Sequence, residues 1–172
     1  MKILFFKGFL LALTAHSAVA QIKIAQVVQE IENADSRREQ LVSGVPETVT
    51  IATFKAICGP VGKQLKEVAK KNGWQQKQAA VKNRNPAHAA DQRESKVIAQ
   101  LEKDDSLQSL TYREGTTTHY FRRITVQKKC LACHGAKKTR PQFILEKFPA
   151  DRAFGFKEGD LRGVYHVWFK GS

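Results

Sequence analysis

The chain has 172 residues, enough for one domain with a real core. Its 29 Lys and Arg against 16 Asp and Glu give a formal net charge of +13. That excess bears on partners rather than on fold, and is compatible with an acidic protein, an anionic membrane surface or nucleic acid; three cysteines in a domain this large argue against a disulfide framework.

Met1 to Ala20 read as an export leader. Lys2 and Lys7 supply positive charge, Gly8 to Ala15 is a short apolar run, and Ala18-Val19-Ala20 is an A-x-A cleavage signal. The apolar run is shorter than the roughly 20 residues of a membrane span. Residues 21–172 are then the exported, periplasmic domain, and membrane association is expected only if the leader is retained.

Gln21 to Leu41 has helical spacing in Ile24, Val27, Val28 and Ile31, and Ser43-Gly44-Val45-Pro46 ends it. Thr48 to Val68 resumes the pattern, with a break or kink expected at Gly59-Pro60. Lys70 to Ala90 is basic and polar and reads as a long loop with little core. Asp91 to Leu101 is a short helix. Leu107 to Arg113 and His119 to Val126 alternate around Glu114-Gly115 and read as a hairpin. Lys128 to Gly135 holds two of the cysteines on about one helical turn, Pro141 to Lys147 is another short helix, and Leu161 to Phe169 is a final strand. Helices followed by antiparallel strands make an α+β fold.

Cys130-Leu131-Ala132-Cys133-His134 is C-x-x-C-H, the pattern of covalent haem c attachment. Cysteines three apart lie about one helical turn apart, so both thiols can face the two haem vinyl groups. The adjacent histidine then offers its imidazole to iron. A thioredoxin-type redox pair would need a βαβ setting, and C-x-x-C as half of a zinc site would need a second cysteine pair, which the sequence lacks. The expected cofactor is one covalent haem c, held by Cys130, Cys133 and His134, and nucleic acid is not an expected partner.

The second axial ligand is narrowed by composition. The only methionine is Met1, within the leader, so the common Met/His pair is excluded from the mature chain. Cys58, His88, His119 and His166 remain, as does an open site. Cys58 is the one cysteine that haem linkage leaves over, although most free cysteines are small buried hydrophobes. His119 and His166 fall in strands, where a ring satisfied by its neighbours is the ordinary situation. Arg84, Arg122 and Arg123 are candidates to pair with haem propionates, since guanidinium forks match carboxylates.

Several longer stretches share one pattern: Ala56-Ile57-Cys58, Arg84-Asn85-Pro86, Tyr120-Phe121-Arg122, Cys130 to Gly135, Phe148 to Phe156, and Gly159 to Gly163. In these the chain resembles a single-domain, PAS-like c-type haem family first catalogued as a domain of unknown function. The resemblance implies a PAS-like antiparallel sheet with long N-terminal helices. It also implies His/Cys axial ligation, which falls here on His134 and Cys58. The chain departs from the family pattern at Gln78-Ala79-Ala80, at His88 and at Arg123. His88 is therefore the runner-up to Cys58.

Three functions fit this reading. The first is a haem-based sensor of redox state or of a diatomic gas, with loss of the Cys58 bond as the switch. The second is a low-potential electron carrier steered by positive charge to an acidic redox or signalling partner. The third, a small haem peroxidase, needs acid–base groups at an open site; no such set stands out, and the chain is read as a non-enzyme.

Overall fold

The computed structural model describes residues 7–171. Met1 to Phe6, the beginning of the expected leader, lie outside the described residues. Two long helices come first, α1 over Lys7–Ser43 and α2 over Ile51–Asn72. Val27, Ile31 and Ala34 of α1 join Val61, Leu65 and Ala69 of α2 in one core cluster, at the spacing of a single helical stripe. Thr50 opens α2 with a capping box, its hydroxyl accepting from the Thr53 N–H at 3.2 Å while the Thr53 hydroxyl accepts from the Thr50 N–H at 3.2 Å. Gly73, left-handed at φ 67°, closes the helix.

The expected break at Gly59-Pro60 does not occur. Pro60 lies inside α2; it gives up one backbone bond, and burial of Val61, Leu65 and Ala69 holds the helix through it. The polar segment after α2 is also a correction. Gln75–Ala79 is strand β1, and Pro86–His88 is a short 3-10 turn. Gln-Gln-Lys-Gln-Ala has no apolar alternation, but as an edge strand it needs only one partner, and a polar edge discourages further pairing.

The sheet is four-stranded in the order β1-β4-β3-β2, antiparallel throughout, with β2 over Ser109–Glu114, β3 over Thr117–Thr125 and β4 over Leu161–Lys170. Tyr120, Tyr165, Val167 and Phe169 pack on the side of α1 and α2. Phe121 and Val164 pack on the other side, against Val97, Ile98 and Leu101 of helix α3, Gln92–Lys103. Both faces are therefore covered, which is why β4 reads as nearly continuous apolar sequence. The class is α+β, as expected. Among the described residues no helix is long and apolar enough to cross a membrane.

His119 and His166 lie on the α3 face in a buried polar chain. The Glu94 carboxylate accepts from His166 Nδ1 at 3.0 Å, from Lys77 Nζ at 2.7 Å and from the Asp91 N–H at 2.9 Å. A proton on His166 Nδ1 leaves its Nε2 to accept from His119 Nδ1 at 3.0 Å. Phe121 stacks on the His166 ring at 4.0 Å between centroids. Glu94 is 1% exposed, yet its three donors hold its carboxyl down at about 2. A depressed carboxylate contributes stability that is full above the ordinary value of about 4.5 and is lost as pH falls toward about 2. Glu94→Ala is expected to cost about 3 kcal/mol in urea unfolding at neutral pH, because it strands buried donors. It should also flatten the acid limb of the stability profile. A variant that keeps the parent's acid transition would contradict the role given to this carboxylate.

Candidate functional site

After β3 the chain makes a 3-10 turn over Lys128–Cys130 and then the single-turn helix α4, Leu131–His134. Cys130, Cys133 and His134 are thereby placed on one short helical stretch. The Gly135 N–H bonds the Leu131 carbonyl at 2.8 Å. A Cβ at Gly135 would stand 2.6 Å from that same oxygen, so the turn admits only glycine there. Close approach of the chain to itself therefore accounts for this glycine.

The segment after helix α5, Gln142–Lys147, folds back over α4. The Gly155 N–H reaches the Gly135 carbonyl at 2.7 Å, and the Phe156 N–H reaches the His134 carbonyl at 3.1 Å. Within this return the Ala153 carbonyl lies 2.8 Å from His134 Nδ1. A carbonyl only accepts, so Nδ1 carries the proton and Nε2 keeps its lone pair. Arg84 Nη2, 3.5 Å from Nδ1, is also a donor and makes no bond to a protonated nitrogen; it is satisfied by the Cys133 carbonyl at 2.7 Å. Burial, with Arg162 and Arg84 nearby, pushes the imidazole down to about 3. The ring is neutral, fixed in one tautomer, and has the form in which histidine binds a metal.

Asp151 anchors this return. Its carboxylate accepts from Arg84 Nε at 3.2 Å, from Arg140 Nη1 at 2.7 Å and from the Ala153 N–H at 2.9 Å. It is fully buried, and its pKa is held below the ordinary carboxylate range by these donors, which outweigh its desolvation.

Cys58, Cys130, Cys133 and His134 all line one cavity of about 390 Å³. Its apolar walls include Val42 and Val45, Phe54, Ile57 and Val61 of α2, and Ile124 of β3. Volume and lining are those of a ligand pocket. The Cys58 thiol meets solvent through the cavity while protein atoms crowd around it; burial and the Cys133 sulfur push it up to about 11. His88 lines the same cavity, so the structure brings both candidates for a second axial position to one place. His119 and His166 are not there. Above the register shift at Ile124/Thr125, Ile124 faces the α1 and α2 side with the cavity, whereas the two histidines lie with Phe121 on the α3 side.

The arginine expectations divide. Arg84 lines the cavity, but Arg122 turns to Glu32 and Asp35, both at 3.6 Å, and Arg123 donates to the Asp105 and Leu101 carbonyls at 2.7 and 3.1 Å. Neither Arg122 nor Arg123 lines the cavity, because helix α1 and the loop after α3 supply their partners. Sequence reasoning missed Arg162, which does line it. It also assigned no role to Asp151 or Ala153, although both stand in the shared Phe148 to Phe156 stretch.

The donor set discriminates among the alternatives. Cys130 and Cys133 form no disulfide with each other or with Cys58. The sheet is antiparallel, without the βαβ unit of a thioredoxin-type pair. Among the described residues no group of three or more His, Cys, Asp or Glu converges as a bare-metal site would require. Two thiols one turn apart, one imidazole with a free Nε2, and a mainly apolar cavity fit a haem.

Fold and site together define an α+β domain built around a single-turn C-x-x-C-H helix facing an apolar cavity. The chain belongs to the Tll0287-like family, whose family model matches residues 13–169. It is also similar to the crystal structure of the cyanobacterial heme-protein Tll0287, at 47% identity and a TM-score of 0.79, over 87% of this chain and 96% of that one. No curated protein matches.

Proposed function

We propose that this chain is an exported c-type haem protein that senses redox state or a diatomic gas through a haem held by Cys130, Cys133 and His134, with Cys58 as the second axial ligand. The carrying observation is that Cys58 and the C-x-x-C-H turn line one cavity although Cys58 and Cys130 are 72 positions apart in the chain. The similarity to a haem protein over nearly the whole chain supports the cofactor. The antiparallel β1-β4-β3-β2 sheet with two long helices before it supports a PAS-like reading of the fold.

A bound haem would supply a one-electron couple and, where an axial position opens, a site for a small gas. The protein's part is to hold the two sides unequally. His134 is fixed by the Ala153 carbonyl and by the return segment above it. Cys58 sits in α2 two residues before Pro60, where the helix lacks one backbone bond, and no hydrogen bond fixes its sulfur among the described residues. The side expected to let go is therefore Cys58. With haem bound, an anionic Cys58 thiolate would favour ferric iron, and Cys58 would be the weaker of the two protein ligands once the iron was reduced.

Cys58→Ala tests this reading. The unaltered protein should be low-spin in the ferric state, with a thiolate charge-transfer band and a low potential. The variant should lose the band, rise in potential and bind CO at least about tenfold more tightly, since a site closed by Cys58 would be open only in a small fraction of molecules. An unchanged ferric spectrum would move the assignment to His88. A high-spin spectrum before any substitution would revive the peroxidase reading. An electron carrier would instead cycle reversibly with both ligands in place.

A further inference from the structure

Haem carries two propionates at one edge, and a mainly apolar cavity must meet them with positive charge. Four cationic side chains line this cavity: Arg38, Arg84, Lys129 and Arg162. Three are poorly suited. Arg38 Nε is bonded to Asp35 at 2.8 Å, and its Nη2 lies 3.6 Å from Glu39. Arg84 is held by Asp151 and by the Cys133 carbonyl. Lys129 is exposed and offers a flexible point charge rather than a fork.

Arg162 differs. Its one hydrogen bond is from Nη1 to the Lys82 carbonyl at 2.9 Å, and its guanidinium lies over the Phe156 ring at 5.4 Å. No carboxylate comes within salt-bridge distance of it among the described residues. Nε and Nη2, the pair that matches the two oxygens of a carboxylate, have no protein acceptor. A crowded guanidinium with no carboxylate in contact is unfavourable, and more so with Arg84 close by, although Asp151 offsets part of this from farther off. Its position is nonetheless well fixed. A Cβ on the next residue, Gly163, would stand 2.4 Å from the Ala79 oxygen, so β4 presses on β1 at this point. Arg162 and Gly163 also line a second cavity, of about 520 Å³, that holds Glu158 and Asp160. Arg162 therefore stands on the rim between the apolar cavity and a polar one, where the carboxylate edge of a haem belongs.

We propose that Arg162 is the residue that anchors a haem propionate, an assignment that rests on the haem reading above. Nε and Nη2 donate side-on to the carboxylate, while the Lys82 carbonyl and the Phe156 ring hold the guanidinium in place.

The test compares exported holoprotein of the unaltered chain with R162Q, following the midpoint potential as a function of pH. A propionate paired with Arg162 stays anionic well into the acid range. Without the guanidinium its proton affinity rises about tenfold or more, because an opposite charge in contact lowers a carboxyl pKa by a unit or more. The pH at which the potential begins to climb should move upward by that amount in R162Q, with the low-spin ferric spectrum unchanged. The other titrating and charged groups around Arg162 are common to both proteins: Lys82, Arg84, His88, His134 and Asp151, the cysteines Cys58 and Cys130, and Glu102, Asp105, Glu158 and Asp160 of the second cavity. A purely structural role would leave the profile where it was, so superimposable curves overturn the assignment. If R162Q yields no holoprotein, R162K is read instead by the propionate-bending band in resonance Raman: a point charge replacing a fork should shift the band, and an unshifted band overturns the proposal. Absence of a Soret band in the unaltered protein would overturn the haem reading itself; normal haem with an unmoved R162Q profile overturns Arg162 alone.

Discussion

Replacing both Cys130 and Cys133 with Ala is expected to give a protein whose haem is lost completely to acidified organic solvent, whereas the unaltered chain keeps its haem through extraction and through a denaturing gel. The two thiols sit three residues apart on consecutive helical turns and line one cavity. In the proposed linkage each would have its own vinyl group to meet. The single variants should therefore each keep one thioether and remain stained on a denaturing gel at reduced yield. Their pyridine haemochrome band should lie to the red of the parent's, because one vinyl group stays unsaturated. His134→Ala is the complementary change. It leaves both thiols and removes the imidazole whose Nδ1 is already committed to the Ala153 carbonyl at 2.8 Å, so covalent haem should persist with an altered ferric spin state. Haem that extracts freely from the unaltered chain would refute covalent attachment, and with it the c-type assignment.

How much of this could be read in the sequence depended on how locally each feature is determined. The C-x-x-C-H turn is fixed by five consecutive residues, and α3 by Asp91 and Glu94 capping each other across one turn, with Glu94 N–H to Asp91 at 2.7 Å and Asp91 N–H to Glu94 at 2.9 Å. The β2–β3 hairpin likewise announces itself through Gly115, at φ 58° in its turn. Strand β1 does not. Its residues carry no β signal of their own, and it becomes a strand because Val164 to Trp168 of β4 present an edge to it.

The candidate ligands show the same division. Sequence left Cys58, His88, His119 and His166 open, and only the sheet separates them. With both faces of β3 and β4 buried, alternation does not say which face meets the cavity. Once Ile124 and Gly163 are seen on that face, His119 and His166 fall on the other, where Glu94 bonds His166 and His166 in turn bonds His119. The partners of the arginines are further still from view. Arg84 meets Asp151 from 67 positions away, and no local pattern distinguishes it from Arg122 or Arg123.

Asp151 is where the second large effect is expected. Its carboxylate is 0% exposed and faces two guanidiniums that are each only 7% exposed. Asp151→Asn keeps the shape but removes the charge, and an amide NH₂ would be turned toward at least one donor. Removing one partner from a buried ionic cluster costs about 3–5 kcal/mol, because the remaining charge is left uncompensated. Here two like charges remain, close enough for Arg84 and Arg140 to share the same carboxylate. The loss should not stop at stability. The Ala153 N–H also bonds Asp151, at 2.9 Å, and the Ala153 carbonyl is what fixes the His134 tautomer. Loosening that peptide weakens the polarisation of the imidazole, so the His134 side should become the more labile one. The expected result is a urea midpoint far below the parent's with an unchanged slope, together with a ferric spectrum that broadens toward high spin. Arg140→Met is the control: it removes one of the two guanidiniums and leaves Arg84 paired with Asp151, so it should cost clearly less and leave the spectrum intact. If Asp151→Asn unfolds within about 1 kcal/mol of the parent, the cluster contributes little, and the orientation of His134 must come from the backbone pairing of Phe156 and Gly155 with His134 and Gly135 alone.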